Sequence, residues 1–177
     1  MKALLHEFDS RATKDIQRWP NWMRPTMLLA TLIGQPVFTV GTATLIAGIG
    51  WGAASANLFL AGIIAVTTFG ISTLAKVYFR RDRPVTEYVE RMFLETYSMP
   101  SGHATGAVAS YGLLAFIVCQ MVPSPWRYLV VGLLSAFIVL IGISRIYLGA
   151  HYPSDVIAGW LLGFLGLSAS IVAYVVT

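Results

Sequence analysis

Charge is what this chain has least of. Of its 177 residues only 11% are Asp, Glu, Lys or Arg, where soluble domains carry about 25%. Cysteine is nearly missing as well. Cys119 stands alone inside an apolar run, which excludes an intrachain disulfide and leaves the redox compartment unread. No internal repeat, low-complexity tract or soluble domain marks off a second module, and a chain of this length fits one domain, 1–177. The first 24 residues are studded with charge and lack the apolar core of a signal peptide, so they are expected to stay. What is abundant is apolar: 56% of the residues are hydrophobic and the mean hydropathy is +0.71. Such a composition excludes an ordinary soluble monomer. With so little polar surface, the formal charge of +4 points to anionic lipid headgroups and away from nucleic acid.

Crossing the hydrocarbon layer takes about 20 mostly apolar residues. Five segments meet that requirement, at residues 27–50, 54–78, 104–122, 128–149 and 156–176, and the apolar interior of each lacks Asp, Glu, Lys, Arg and His. The expected fold is therefore all-α, a polytopic transmembrane bundle over 27–177. Residues 1–24 read as an amphipathic helix lying in the membrane interface. Leu4, Leu5, Phe8, Ala12, Ile16 and Trp19 fall on one side, and Lys2, Glu7, Asp9, Arg11, Lys14, Asp15 and Arg18 on the other. Turns near 51–53 and 123–127 are short enough to make helical hairpins. Gly159 and Gly163 form a small-xxx-small pair suited to close helix packing, from which no oligomeric state follows.

Parity then gathers the polar groups. If the first span starts on one side of the membrane, the ends of the second and fourth and the starts of the third and fifth share that side. Residues 76–83, 100–103 and 145–155 therefore meet there. Lys76, Arg83 and Arg145 offer cations for one anion, and arginine can grip two phosphate oxygens through its planar fork. Arg80, Arg81 and Arg91 read as juxtamembrane cations that set topology. Ser101 is placed to cap the helix that follows, and Gly102 lets backbone N–H groups at that helix start approach an anion. His103 and His151 are two of only three histidines. Asp155 suits the first turn of the last helix, and it is also placed to hold one ring nitrogen of His151 so that the other can attack phosphorus.

In combination these clusters resemble the signature of the type 2 phosphatidic acid phosphatase superfamily. Its three parts are matched by Lys76 followed by Arg83-Pro84, by Pro100-Ser101-Gly102-His103, and by Ser144-Arg145 with His151 and Asp155. The resemblance implies a membrane lipid phosphate phosphatase with His151 as a nucleophile that forms a phosphohistidine. Asp155 would orient it, and His103 would protonate the leaving oxygen and then help activate water. Lys76, Arg83, Ser101, Gly102 and Arg145 would cradle the phosphate. No metal and no cofactor are implied, and Asp82, Glu87, Glu90 and Glu95 read as solvated loop charges. The implied substrates are phosphatidate, phosphatidylglycerophosphate and polyprenyl phosphate or diphosphate, with headgroup contacts at residues 87–97 and on the amino-terminal helix. Membrane members of the family usually have six spans, one more than are found here.

Two other readings share these features. A transporter or flippase would use the same anion site, although the uncharged span interiors count against it. A lipid phosphotransferase would use the same phosphohistidine with a different acceptor, and a soluble haloperoxidase with a similar pocket is excluded by the spans. The expected location is a multi-pass protein of the cell membrane. The resemblance puts the active site outside the cytoplasm, whereas the excess of Lys and Arg on that side puts it inside.

Overall fold

Pro36 breaks the first apolar run. It lacks an N–H and would clash with the carbonyl four residues back, and it forces the residue before it out of the helical region. Gln35 accordingly has φ −62° and ψ 150°. In the computed structural model, which describes residues 2–92 and 96–176 and side chains from Leu4 on, the run expected at 27–50 is two helices. These are α2 (Arg24–Ile33) and α3 (Pro36–Gly52), bent by 42°. The expectation of one uninterrupted first span is thus corrected to a broken one.

The remaining elements follow the hydropathy. They are α4 (Ala56–Phe79), a short α5 (Glu87–Glu90), α6 (Gly102–Gly106), α7 (Gly112–Met121), α8 (Trp126–Tyr147) and α9 (Pro153–Val176). A π-helical turn, Ala107–Tyr111, joins α6 to α7 in one continuous helix, Gly102–Met121. This helix, α4, α8 and α9 are each long and apolar enough to cross a membrane, and the bent pair makes a fifth. Among the described residues there is no strand, and the chain is an all-α, multi-pass integral membrane protein.

The continuous helix sits at the centre: 56% of its apolar window is buried, against 28% for α4, α8 and α9. Around it the core is built from small side chains, with Ala43, Ala61, Ala65 and Ala109 packed about Ile46 and Leu113. Small residues let helix backbones approach where no hydrophobic effect drives association within lipid. A Cβ on Gly159 would come within 2.6 Å of the Ser101 carbonyl oxygen, and one on Gly163 within 2.7 Å of Val108. The glycine pair thus packs α9 onto the central helix and brings the start of each beside the other.

The amino-terminal helix α1 (Lys2–Gln17) forms, and one residue expected on its polar face turns inward. Ile16 packs against Ala104, Ile146 and Val156, and Asp9, assigned above to the polar outer face, is buried at 1% exposure. Leu4, Leu5 and Phe8 remain exposed. One side of α1 therefore docks on the bundle through a carboxylate, leaving an apolar stripe free.

Candidate active site

The three polar clusters do converge. A cavity of about 850 Å³ at one end of the bundle is lined by Lys76, Arg83, Gly102, His103, Arg145 and His151, with Tyr88, Phe69, Gln35 and Pro36 also on its wall. Lys76, in the last turn of α4, donates to the carbonyls of Pro100 (2.7 Å) and Tyr97 (3.1 Å). These bonds tie the ammonium to the loop that leads through Ser101 into α6, the helix that carries His103. Arg145, in the last turn of α8, is 2% exposed and donates to Thr31 of α2 and to the Tyr88 hydroxyl (3.3 Å), while its Nε has no partner.

Arg83 is held by three oxygens. Its guanidinium donates to the carbonyl and hydroxyl of Thr96 (2.7 and 2.9 Å) and to the Ala150 carbonyl (3.0 Å). Nη1 also lies 3.2 Å from Nε2 of His151. Burial, followed by the charge of Arg145, pulls this guanidinium down to about 10 against the opposing pull of Asp155. An arginine at that value keeps its proton at neutral pH and has only donors to offer. Nε2 of His151 therefore presents a lone pair, and the ring proton resides on Nδ1, which faces Oδ2 of Asp155 at 3.5 Å. That separation exceeds a hydrogen bond, and Nδ1 has no other partner. Burial first, and then the charges of Arg145, Arg83 and Lys76, hold the His151 ring well below the ordinary histidine range, so it is neutral.

Asp155 is fully buried in the first turn of α9, and its Oδ2 accepts from Tyr152 N (2.9 Å). It therefore stabilises the helix start and faces His151 at once. Its backbone carbonyl accepts from Ser101 N (2.9 Å), which fastens α9 to the loop before α6. Ser101 departs from the expectation. Its backbone holds the N-cap position, but its hydroxyl makes no capping bond and has no partner, while its carbonyl takes both the N–H and the hydroxyl of Thr105. The hydroxyl therefore takes no part in capping the helix start. Gly102 lies on the cavity wall, where a Cβ would touch Phe69 at 3.4 Å and reach the Lys76 stem at 4.0 Å. Of the expected headgroup segment, Glu87, Tyr88, Arg91, Met92 and Thr96 line the cavity, and residues 93–95 lie outside the described residues.

Arg81 is not the topological cation that its position suggests. Its Nη1 donates to Oδ1 of Asp155 (2.8 Å) and to Ser154 Oγ (2.6 Å), its Nη2 donates to Asp9 (2.6 Å), and its guanidinium lies 4.3 Å from the centre of the Tyr152 ring. Burial works against its charge, but the bonds to Asp9 and Asp155 outweigh that and raise Arg81 above the ordinary range. Only its spacing of two residues before Arg83 hints at a site role, and nothing in the sequence links it to Asp9. Among the described residues no group of three or more His, Cys, Asp or Glu side chains is placed to hold a metal ion.

Known proteins resemble this chain in sequence and in fold. The chain is 29% identical over 150 residues to phosphatidylglycerophosphatase B of Bacillus subtilis, covering 81% of this chain and 71% of that protein. It is 45% identical over 67 residues to undecaprenyl-diphosphatase of Sulfolobus acidocaldarius, covering 38% of this chain and 29% of that one. The fold matches the crystal structure of a transmembrane phosphatidylglycerolphosphate phosphatase of the PAP2 type from Bacillus subtilis, with a TM-score of 0.79 at 24% identity over 97% of this chain and 86% of that chain. The pattern of the PAP2 superfamily extends over residues 52–176. That stretch contains every side chain assigned above to the phosphate cradle and both histidines, and the chain belongs to the PAP2 superfamily.

Proposed function

We propose that this protein is a phosphoric ester hydrolase of the cell membrane, acting as a single domain over 1–177 on the phosphate or diphosphate headgroup of a lipid. The observation that carries this reading is the convergence of Lys76, Arg83, Arg145, His103 and His151 on one cavity. Three cations there match the three oxygens over which charge spreads in phosphoryl transfer.

In the proposed reaction the lone pair on Nε2 of His151 attacks phosphorus, and the bond from phosphorus to the lipid oxygen breaks. His103 gives that oxygen its proton, leaving a phosphohistidine. His103 then takes a proton from water, whose oxygen attacks phosphorus; the N–P bond breaks, and inorganic phosphate leaves. Asp155 faces the Nδ1 proton and compensates the positive charge that His151 acquires. Lys76, Arg83, Arg145 and the backbone at Gly102 hold the phosphate. Ser101, behind that backbone, has a hydroxyl free to turn towards it.

An amphiphilic substrate is supported by a second feature. Pro36 and Phe69 line the cavity and also an apolar groove of about 800 Å³ that runs down α3 past Gly41, Thr44 and Gly48. A headgroup in the cavity would leave its tail on that groove. The relatives named for phosphatidylglycerophosphate and undecaprenyl diphosphate bracket the candidates, with phosphatidate as a third.

The test is phosphate release by the purified protein from a panel of such lipids in the presence of a chelator, beside His151→Ala and Asp155→Asn. Release by the parent that disappears in His151→Ala supports the reading. A folded parent that releases nothing from any of them overturns it.

A further inference from the structure

Asp9 is the feature that neither composition nor the proposed chemistry accounts for. A helix lying on a bundle can dock through apolar contacts alone, and α1 has one in Ile16. Burying a carboxylate is unfavourable unless it is fully paired. Asp9 is paired, and every partner belongs to the support of the histidine site. Its Oδ1 accepts from Ser154 N (2.9 Å), and its Oδ2 accepts from Ser154 Oγ (2.7 Å) and from Arg81 Nη2 (2.6 Å). The other arm of Arg81 reaches Oδ1 of Asp155 at 2.8 Å, so the remaining oxygen of Asp155 is turned towards His151 Nδ1 and Tyr152 N.

The charges follow the same path. Paired with Asp155 alone, the Arg81 cation would cancel the negative charge that Asp155 turns towards His151. A second carboxylate on the opposite side of the guanidinium leaves the trio with a net charge of −1, and a rigid fork held at both ends cannot swing away. We infer that Asp9 is a positioning residue for His151: acting through Arg81 it fixes the carboxylate of Asp155, so that docking of α1 completes the active site. This rests on the reading of His151 as the nucleophile.

The test uses two oxyanions on the full-length protein in detergent. Orthovanadate mimics the five-coordinate transition state by bonding to the attacking nitrogen, whereas inorganic phosphate needs only the cation cradle. Asp9→Asn keeps the size of the side chain and an acceptor for Ser154 N. It should weaken vanadate binding by more than about tenfold while phosphate binding stays within about twofold. With any lipid that the parent hydrolyses, kcat should fall in step and KM should hold. Arg81→Lys, with one ammonium in place of a fork, should show the same split, and Asp9→Glu should recover part of the loss. Asp15→Asn, on the exposed side of α1, should match the parent. If Asp9→Asn binds vanadate as the parent does while His151→Ala does not, the inference fails and the nucleophile stands. If Asp9→Asn loses both oxyanions equally, Asp9 serves the fold only and the inference again fails. Should His151→Ala bind vanadate like the parent, the nucleophile reading falls and the inference with it.

Discussion

Nη1 of Arg83 lies 3.2 Å from Nε2 of His151, and this contact fixes which ring nitrogen of the histidine is free to react. The same guanidinium is anchored by Thr96 and Ala150, so it sets position as well as charge. Lysine keeps the charge but cannot satisfy those oxygens and the histidine together. Arg83→Lys is therefore expected to lower kcat/KM by about a hundredfold or more, equivalent to ~3 kcal/mol of transition-state stabilisation. Steady-state phosphate release from the best lipid substrate checks this, and a change below about threefold would exclude a positioning role for Arg83.

The neutral state of His151 makes stability depend on pH. Burial and the surrounding Arg145, Arg83 and Lys76 depress its folded value below the unfolded one of about 6.5, with a hydrogen bond to the Ser98 backbone as the opposing influence. Between those two values the unfolded chain binds a proton that the folded chain refuses. The contribution of His151 is thus fully present above about pH 6.5 and is lost progressively as pH falls from there through the folded value. His151→Asn cannot titrate. Its thermal midpoint in detergent should drop less than the parent's between about pH 7 and about pH 5.

Much of this was legible because the chemistry lies in short motifs at helix ends. Hydropathy located the spans, and the parity of their ends gathered Lys76, Arg83, His103, Arg145, His151 and Asp155 on one side, where the cavity holds or adjoins them all. Contacts with no periodic or motif signal stayed hidden. Asp9 looks like any solvated residue of an amphipathic helix, and Arg81 like any juxtamembrane cation, until folding across 72 residues pairs them. The break at Pro36 was readable in principle, since proline withdraws an N–H wherever it stands, but the surrounding apolar run masked it.

That break leaves a carbonyl to satisfy. In an unbroken helix Ile33 O would accept from the N–H of residue 37; here it accepts from the Tyr111 hydroxyl at 2.6 Å, in the π-helical turn of the central helix. Tyr111→Phe would leave that carbonyl unpaired at about 1–3 kcal/mol. Unfolding in detergent should show the loss, and a neutral outcome would mean that lipid or water replaces the hydroxyl.

Packing of α9 on the central helix makes a sharper contrast. Gly159→Ala places a Cβ 2.6 Å from the Ser101 carbonyl, a backbone atom that cannot turn aside, and strains the Ser101 N to Asp155 O bond beside the nucleophile. A loss of about 1–3 kcal/mol in stability is expected together with reduced kcat. Gly132→Ala, in α8 with nothing within 4 Å, should be neutral or slightly stabilising, because alanine restricts the unfolded chain and favours helix. Equal behaviour of the two variants would show that the close approach at Gly159 has no energetic weight.

The groove on α3 separates tail from headgroup. Thr44 is exposed on its wall, and a Cβ added at Gly41 or Gly48 would meet nothing within 4 Å, so a large side chain at 44 would occupy the groove without disturbing the core. Each methylene displaced from contact forfeits at most ~0.8 kcal/mol, and less when bilayer lipid takes up the tail. Thr44→Trp is expected to raise KM for a long-chain lipid phosphate by about tenfold, some ~1.4 kcal/mol, while leaving kcat and the kinetics of a short-chain, water-soluble phosphate ester unchanged. Such a split would locate the tail on α3. A rise in KM for both substrates would instead place the indole in the path of the headgroup, and no rise for either would put the tail elsewhere on the bundle.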